Sequence, residues 1–179
     1  HPQTVLRAKL PDQEETVVPW HQDLAYLIPE EAGETLILNF WIPLVKAAVE
    51  NGCMQVIPCT HEGYPEMDKI STGGDDLLGL TVDVTLKMEE AAVCLEMNAG
   101  SLSVHDSFVL HGSEANTSGR RRAAYTMRYA NAKTVTVDAT EHWVPVYLVR
   151  GEGGEHAADY LDLRPGQPLP SELGAVTDS

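Results

Sequence analysis

Basic residues are scarce in this chain beside its acidic ones. Twelve Lys and Arg stand against 27 Asp and Glu in 179 residues, a net charge of −15. Nucleic acid and anionic membrane both need a local basic excess, so neither is an expected partner. The one basic run, Arg120-Arg121-Arg122, is short and suits only a small anion. Long apolar runs are also missing: none approaches the roughly 18–20 residues of a membrane helix. The first residues, His1-Pro2-Gln3, carry no Met, no basic leader and no apolar stretch. No secretory signal is therefore expected, and the chain reads as a fragment without its upstream segment. Cysteine is scarce and odd in number: Cys53, Cys59 and Cys94 match no zinc spacing. Three reduced, buried thiols in a reducing compartment, and so a cytoplasmic location, are the expectation.

What is present suits one globular domain, and 179 residues can bury a real core. Val5 to Leu10 alternates and is expected as a strand, and a second strand is expected to carry Thr16, Val17, Val18 and on to Asp23. Thr35 to Leu44 (TLILNFWIPL) is the most strand-like stretch, and Cys53 to Ile57 a shorter one stopped by Pro58. Residues 60–80 lose periodicity and read as a loop over a pocket mouth. Further strands are expected over Thr81–Leu86, Ala91–Leu95, Ser101–Leu110 with a kink at His105-Asp106, and Arg122–Tyr129, with Val135 and Val137 continuing the sheet. Many short strands, few helical periods and frequent Gly/Pro turns point to an all-β sandwich or jelly-roll barrel over residues 1–150. Residues 151–179, rich in Gly, Pro and acid, read as a tail or lid.

Trp20-His21-Gln22-Asp23 is where chemistry concentrates. Side chains at i and i+2 of a strand share a face, so His21 and Asp23 can grip one metal ion. With a second histidine they would form the two-histidine, one-carboxylate facial triad that suits non-heme Fe(II) and leaves positions open. The pair alone proves little: 7 His and 27 acidic residues in 179 give about one H-x-[DE] by chance (7 × 27/179). Three histidines are placed to complete a triad: His61, His105 and His111. His111 ends the apolar run Phe108-Val109-Leu110, where a strand-end ligand belongs, whereas His105 reads better as bonded beside Asp106 in a turn. Eleven residues after His111, Arg122 opens an alternating strand whose pairing with the strand ending at His111 would bring a guanidinium to the metal. A metal with open positions plus that rigid fork is what a 2-oxoacid with a second carboxylate needs, and the Ser113 hydroxyl is available to the same carboxylate. Arg120 and Arg121 read as a solvated turn, although a one-residue slip would exchange Arg121 for Arg122.

Three blocks, W-H-Q-D-L-A-Y at 20–26, N-G-C-M-Q-V-I-P-C-T-H at 51–61 and H-G-S-E-A-N-T-S-G-R-R-R at 111–122, come in this order. Together they resemble the phytanoyl-CoA hydroxylase family of Fe(II)/2-oxoglutarate dioxygenases, over roughly residues 16 to 130. The resemblance implies a double-stranded β-helix (jelly-roll) enzyme. It implies iron ligands His21, Asp23 and His111, a 2-oxoglutarate clamp of Arg122 with Ser113, and Trp41 lining the co-substrate pocket. Fe(II), 2-oxoglutarate and O2 are the implied cofactor and co-substrates, and hydroxylation of an unactivated C–H bond with release of succinate and CO2 the implied reaction. Related halogenases replace the facial carboxylate with a small residue, so Asp23 favours hydroxylation. Family members carry a substantial segment before the H-x-D strand, whereas twenty residues precede His21, so part of the outer sheet and substrate pocket is expected to be absent. Two rivals remain: a non-catalytic jelly-roll binding module, and a zinc enzyme activating water with the same triad, against which Arg122 speaks. The expected partner is a small-molecule substrate, and the sequence assigns neither its identity nor an oligomeric state.

Overall fold

The computed structural model describes residues 4–11, 16–23, 37–62, 68–71, 80–132, 147–153 and 161–162. Along the chain these form β1 (Thr4–Lys9), β2 (Val18–His21), β3 (Ile37–Pro43), β4 (Gln55–Val56), β5 (Lys69–Ser71), β6 (Leu80–Val82), α1 (Leu86–Glu90), β7 (Val93–Cys94), β8 (Ser103–Asp106), β9 (His111–Ser113), β10 (Arg122–Ala130), β11 (Tyr147–Leu148) and β12 (Leu161–Asp162). Eight of the strands make two antiparallel sheets, in the orders β1-β10-β3-β8 and β2-β9-β4-β7. This is the jelly-roll class that the turn and strand spacing predicts.

Alternation explains the larger sheet. In β3, Ile37, Asn39, Trp41 and Pro43 are buried while the residues between them are half-exposed, as a strand with one core face requires. Cross-strand partners share a face. The pairs Asn39 with Arg128 and with His105, Trp41 with Thr126 and with Ser103, and Lys9 with Arg122 therefore all turn inward. Between the sheets, Trp41, Ala47, Cys53, Met54 and Ala124 form one apolar cluster, and Ile57, Val82 and Leu110 a second. Each such fully buried aliphatic side chain contributes about 2 kcal/mol. Among the described residues no helix is long and apolar enough to cross a membrane.

Several expectations change. Strand β2 stops at His21, so Asp23 lies beyond it rather than on the same strand; Pro19 and a register shift between Val18 and His21 interrupt the ladder. His111 opens β9 instead of closing the preceding run. Strand β10 pairs with β1 and β3, not with β9, so Arg122 and His111 belong to different sheets. Thr81–Leu86 is a strand only to Val82. Helix α1 follows, because Thr85 accepts from the Met88 amide and LKMEE is a run of good helix formers. Part of the 60–80 stretch pairs as β5 with β6, and β12 joins β11 in parallel, so the segment after 150 contains a strand. Of the cysteines only Cys53 is buried; Cys59 and Cys94 are exposed, and all three are free. Tyr26, Val135 and Val137 lie outside the described residues.

Candidate metal centre and its surroundings

His21 and His111 are direct partners across β2 and β9, and their ring centroids are 4.1 Å apart. Gly112 permits this approach: a Cβ there would meet the Val18 carbonyl at 2.9 Å. Beyond His21 the chain turns. Gln22 is buried and its Nε2 donates to the Phe108 carbonyl at 2.8 Å, which pins the turn and returns Asp23 to the histidines. His21 Nε2 lies 3.8 Å from Asp23 Oδ1 and His111 Nε2 lies 3.7 Å from Asp23 Oδ2. One ligand atom from each of the three buried residues falls within 4.8 Å of the others, and the described residues hold no second such group.

The protonation states suit a cation. His21 Nδ1 donates to the Pro19 carbonyl at 2.9 Å and His111 Nδ1 to the Val109 carbonyl at 3.0 Å. A carbonyl only accepts, so each Nδ1 carries a proton and each ring turns its Nε2 toward Asp23. Burial, then the neighbouring His111, holds His21 down at about 3, so it is neutral. Burial alone would raise the Asp23 carboxyl, but His111, Arg128, His21 and His105 outweigh it and hold Asp23 at about 2. Two imidazoles with their Nε2 atoms turned toward one ionised carboxylate are a donor set for a divalent ion of the first transition row. The residues present fit the metal that the sequence implies.

Sequence reasoning missed how Asp23 is supported. Arg128 Nη2 donates to Asp23 Oδ1, and its Nε donates to Asn39 Oδ1 at 2.8 Å. Arg128 stands six residues after Arg122, on the same inward face of β10. A cation at an inward position of an alternating strand was the available signal. His105, also inward, is not bonded to Asp106, whose Oδ1 instead accepts from the Phe108 and Val109 amides. Its Nε2 is 4.0 Å from Asp23 Oδ2, and burial first, then His111, pushes it down to about 3. His61 is half-buried on the opening of the 60–80 stretch.

Arg122 is 4% exposed, whereas Arg121 is exposed. Its Nε donates to the Gly52 carbonyl at 3.1 Å and its guanidinium carbon lies 5.6 Å from the centre of the buried Trp41 ring. Burial lowers it to about 10, so it stays charged at neutral pH. Gly52 is left-handed at φ 73°, and a Cβ on it would sit 2.5 Å from the Glu114 carbonyl, so this turn of the N-G-C block requires glycine. Beside Arg122, Lys9 is 2% exposed and donates from Nζ to the carbonyls of Ser113 and Glu114, the former at 3.2 Å. Ser113 is itself buried. Asn116, fully buried, ties the intervening loop: its Nδ2 lies at hydrogen-bonding distance from the Lys9, Leu10 and Arg120 carbonyls (3.2, 2.9 and 2.8 Å) and its Oδ1 accepts from Ser118.

Comparison with known proteins bears on this geometry. The pattern of the phytanoyl-CoA dioxygenase (PhyH) family matches residues 2–124. Phytanoyl-CoA dioxygenase domain-containing protein 1 of Bos taurus is 30% identical over 126 residues, which cover 69% of this chain and 42% of that protein. EvdO2 from Micromonospora carbonacea var. aurantiaca, solved in complex with 2-oxoglutarate, superposes with a TM-score of 0.62 at 27% identity, over 79% of this chain and 59% of that one. The non-heme monooxygenase ThoJ shares the fold, with a TM-score of 0.66 at 19% identity over 94% of this chain and 56% of its own. The chain spans less than half the length of the curated relatives it matches. With its jelly-roll sheets and buried His-Asp-His cluster, the chain belongs to the phytanoyl-CoA dioxygenase family.

Proposed function

We propose that the chain is the core of an Fe(II)- and 2-oxoglutarate-dependent oxygenase that hydroxylates a C–H bond of a small organic substrate. The observation that carries this reading is the closure of His21, Asp23 and His111 to within 4.8 Å, with both Nδ1 atoms anchored on backbone carbonyls and both Nε2 atoms turned toward Asp23. Those three residues would hold the metal. When bound, iron with 2-oxoglutarate and O2 supplies oxidative decarboxylation to succinate and CO2 and an oxidant able to attack an unactivated C–H bond. The chain's own work is placement. Pro19 and Val109 carbonyls orient the two imidazoles, and Arg128 keeps Asp23 ionised and fixed. Asp23 fills the facial position with a carboxylate, which favours hydroxylation over halogenation.

Arg122 is the residue to receive the distal carboxylate of 2-oxoglutarate. Among the described residues only its Nε is committed, to Gly52, so its terminal nitrogens are available as a fork. Trp41 lies beneath it, and Ser113 lies on β9 of the other sheet, where its carbonyl accepts from the neighbouring Lys9. The complex of EvdO2 with 2-oxoglutarate, at 27% identity, supports the same co-substrate here. The test is succinate release: Fe(II)-loaded protein, in its full-length parent where one exists, should convert 2-oxoglutarate to succinate, and His111→Ala should end this. Turnover that survives His111→Ala contradicts the assignment. Metal and 2-oxoglutarate binding without any succinate would mark a non-catalytic module instead.

A further inference from the structure

Strand β8 delivers a histidine that no role above uses. His105 faces inward opposite Asn39 and is nine-tenths buried. Among the described residues, neither of its ring nitrogens has a hydrogen-bond partner. Its Nε2 stands 4.0 Å from Asp23 Oδ2, and its ring centroid 4.6 Å from that of His111. The neighbouring histidines differ in one respect: each anchors Nδ1 on a backbone carbonyl two residues back, whereas His105 has no such anchor among the described residues. Asp106 is already engaged by two backbone amides and is not the missing partner. Buried polar groups are nearly always paired, and an orphan is a destabilising feature. A phenyl ring of similar shape would fill the same space without it. Retaining imidazole there is accounted for when something bound completes it.

His105 lies outside the three-residue ligand cluster but directly against two of its members, Asp23 and His111. A ring there offers an N–H to whatever occupies the space beside those donors. Next to a divalent cation that occupant is anionic, and oxygen of a carboxylate or 2-oxo group can only accept. We propose that His105 donates a hydrogen bond to the metal-proximal 2-oxo acid end of the co-substrate, making it a co-substrate-binding residue at the end opposite Arg122. The inference rests on the reading of the site as a 2-oxoglutarate site given above.

Calorimetry on wild type, His105→Phe and His105→Gln tests it, titrating Mn(II) first and then 2-oxoglutarate under saturating Mn(II), alongside melting of the metal-free proteins. His105→Phe should keep Mn(II) affinity within about twofold and melt no lower than wild type, because it removes two orphan nitrogens. Its 2-oxoglutarate Kd should rise about tenfold, and His105→Gln, whose amide N–H can serve the same oxygen, should recover most of that. An unchanged 2-oxoglutarate Kd in His105→Phe overturns the inference. So does a parallel loss of Mn(II) affinity or a lowered melting temperature, which would make His105 a support of the metal or of the fold. A wild type that takes Mn(II) but no 2-oxoglutarate overturns the co-substrate reading itself, and shows that before any substitution is made.

Discussion

The two sheets both turn polar side chains inward, yet they secure them differently. On β2 and β9 the imidazoles of His21 and His111 are held by carbonyls two residues earlier in the chain, those of Pro19 and Val109. On β1 and β10 the cations are held across the molecule: Arg128 by Asp23, Arg122 by Gly52, Lys9 by Ser113 and Glu114. The ligand side is thus locally determined, and its geometry survives as long as β2 pairs with β9. The cation side depends on the sheets remaining opposed. Asp23 belongs to both, since it closes the ligand cluster and accepts from Arg128.

Substitutions on each side should separate these dependences. The largest effect belongs to the ligand side: His111→Ala should abolish tight metal binding and succinate formation together, by direct metal analysis and product assay. Arg128→Met comes next. It leaves a buried carboxylate without its permanent cation, so the metal-free protein should lose about 3 kcal/mol in denaturant unfolding. Metal affinity should fall about ten- to a hundredfold. If both are unchanged, the two sheets are not coupled through Asp23. Arg122→Met should be smaller and confined to the other end of the pocket. Metal affinity holds while the concentration of 2-oxoglutarate needed for half-saturation rises about tenfold or more. Arg121→Ala should do nothing, and the reverse result would shift the clamp by one residue.

The smallest effect belongs to Lys9, and pH reveals it. Burial, then the Arg122 charge beside it, lowers this amine from its ordinary 10.5 to about 7. The unfolded chain therefore binds more protons between those values, and the Lys9 contribution to stability rises with pH across that window. Lys9→Met should flatten this part of the stability–pH curve while changing the melting temperature at neutral pH only slightly. A curve that keeps its slope would assign it to another group.

The same contrast decides what could be read from sequence. W-H-Q-D and H-G-S carry the ligand side within a few residues each: histidine, anchoring carbonyl and the glycine that admits a close strand are all local. That made His21, Asp23 and His111 legible even though Asp23 turned out to lie past the end of β2 and His111 at the start of β9. The spacing from His111 singled out Arg122, which is buried, but the strand pairing expected to bring it in does not form, because β10 pairs with β1 and β3. Arg128, Asn39 and Lys9 were passed over, and His105 was weighed as a ligand but read as bonded beside Asp106. Their partners lie 70 or more residues distant in the sequence in the bonds that fix Arg128 and Lys9, and no local pattern encodes such pairs. Inward register would have shown them. Arg122 and Arg128 stand on one face of β10, but which face pointed inward depended on the sheet order.

The central claim is that His21, Asp23 and His111 hold Fe(II) in a form that 2-oxoglutarate chelates. Anaerobic visible absorption tests it most directly. Adding Fe(II) and then 2-oxoglutarate should produce the charge-transfer band of the Fe(II)–2-oxoglutarate chelate in wild type and none in His111→Ala. A wild type that stays colourless with iron bound, or a band that persists without His111, would contradict it.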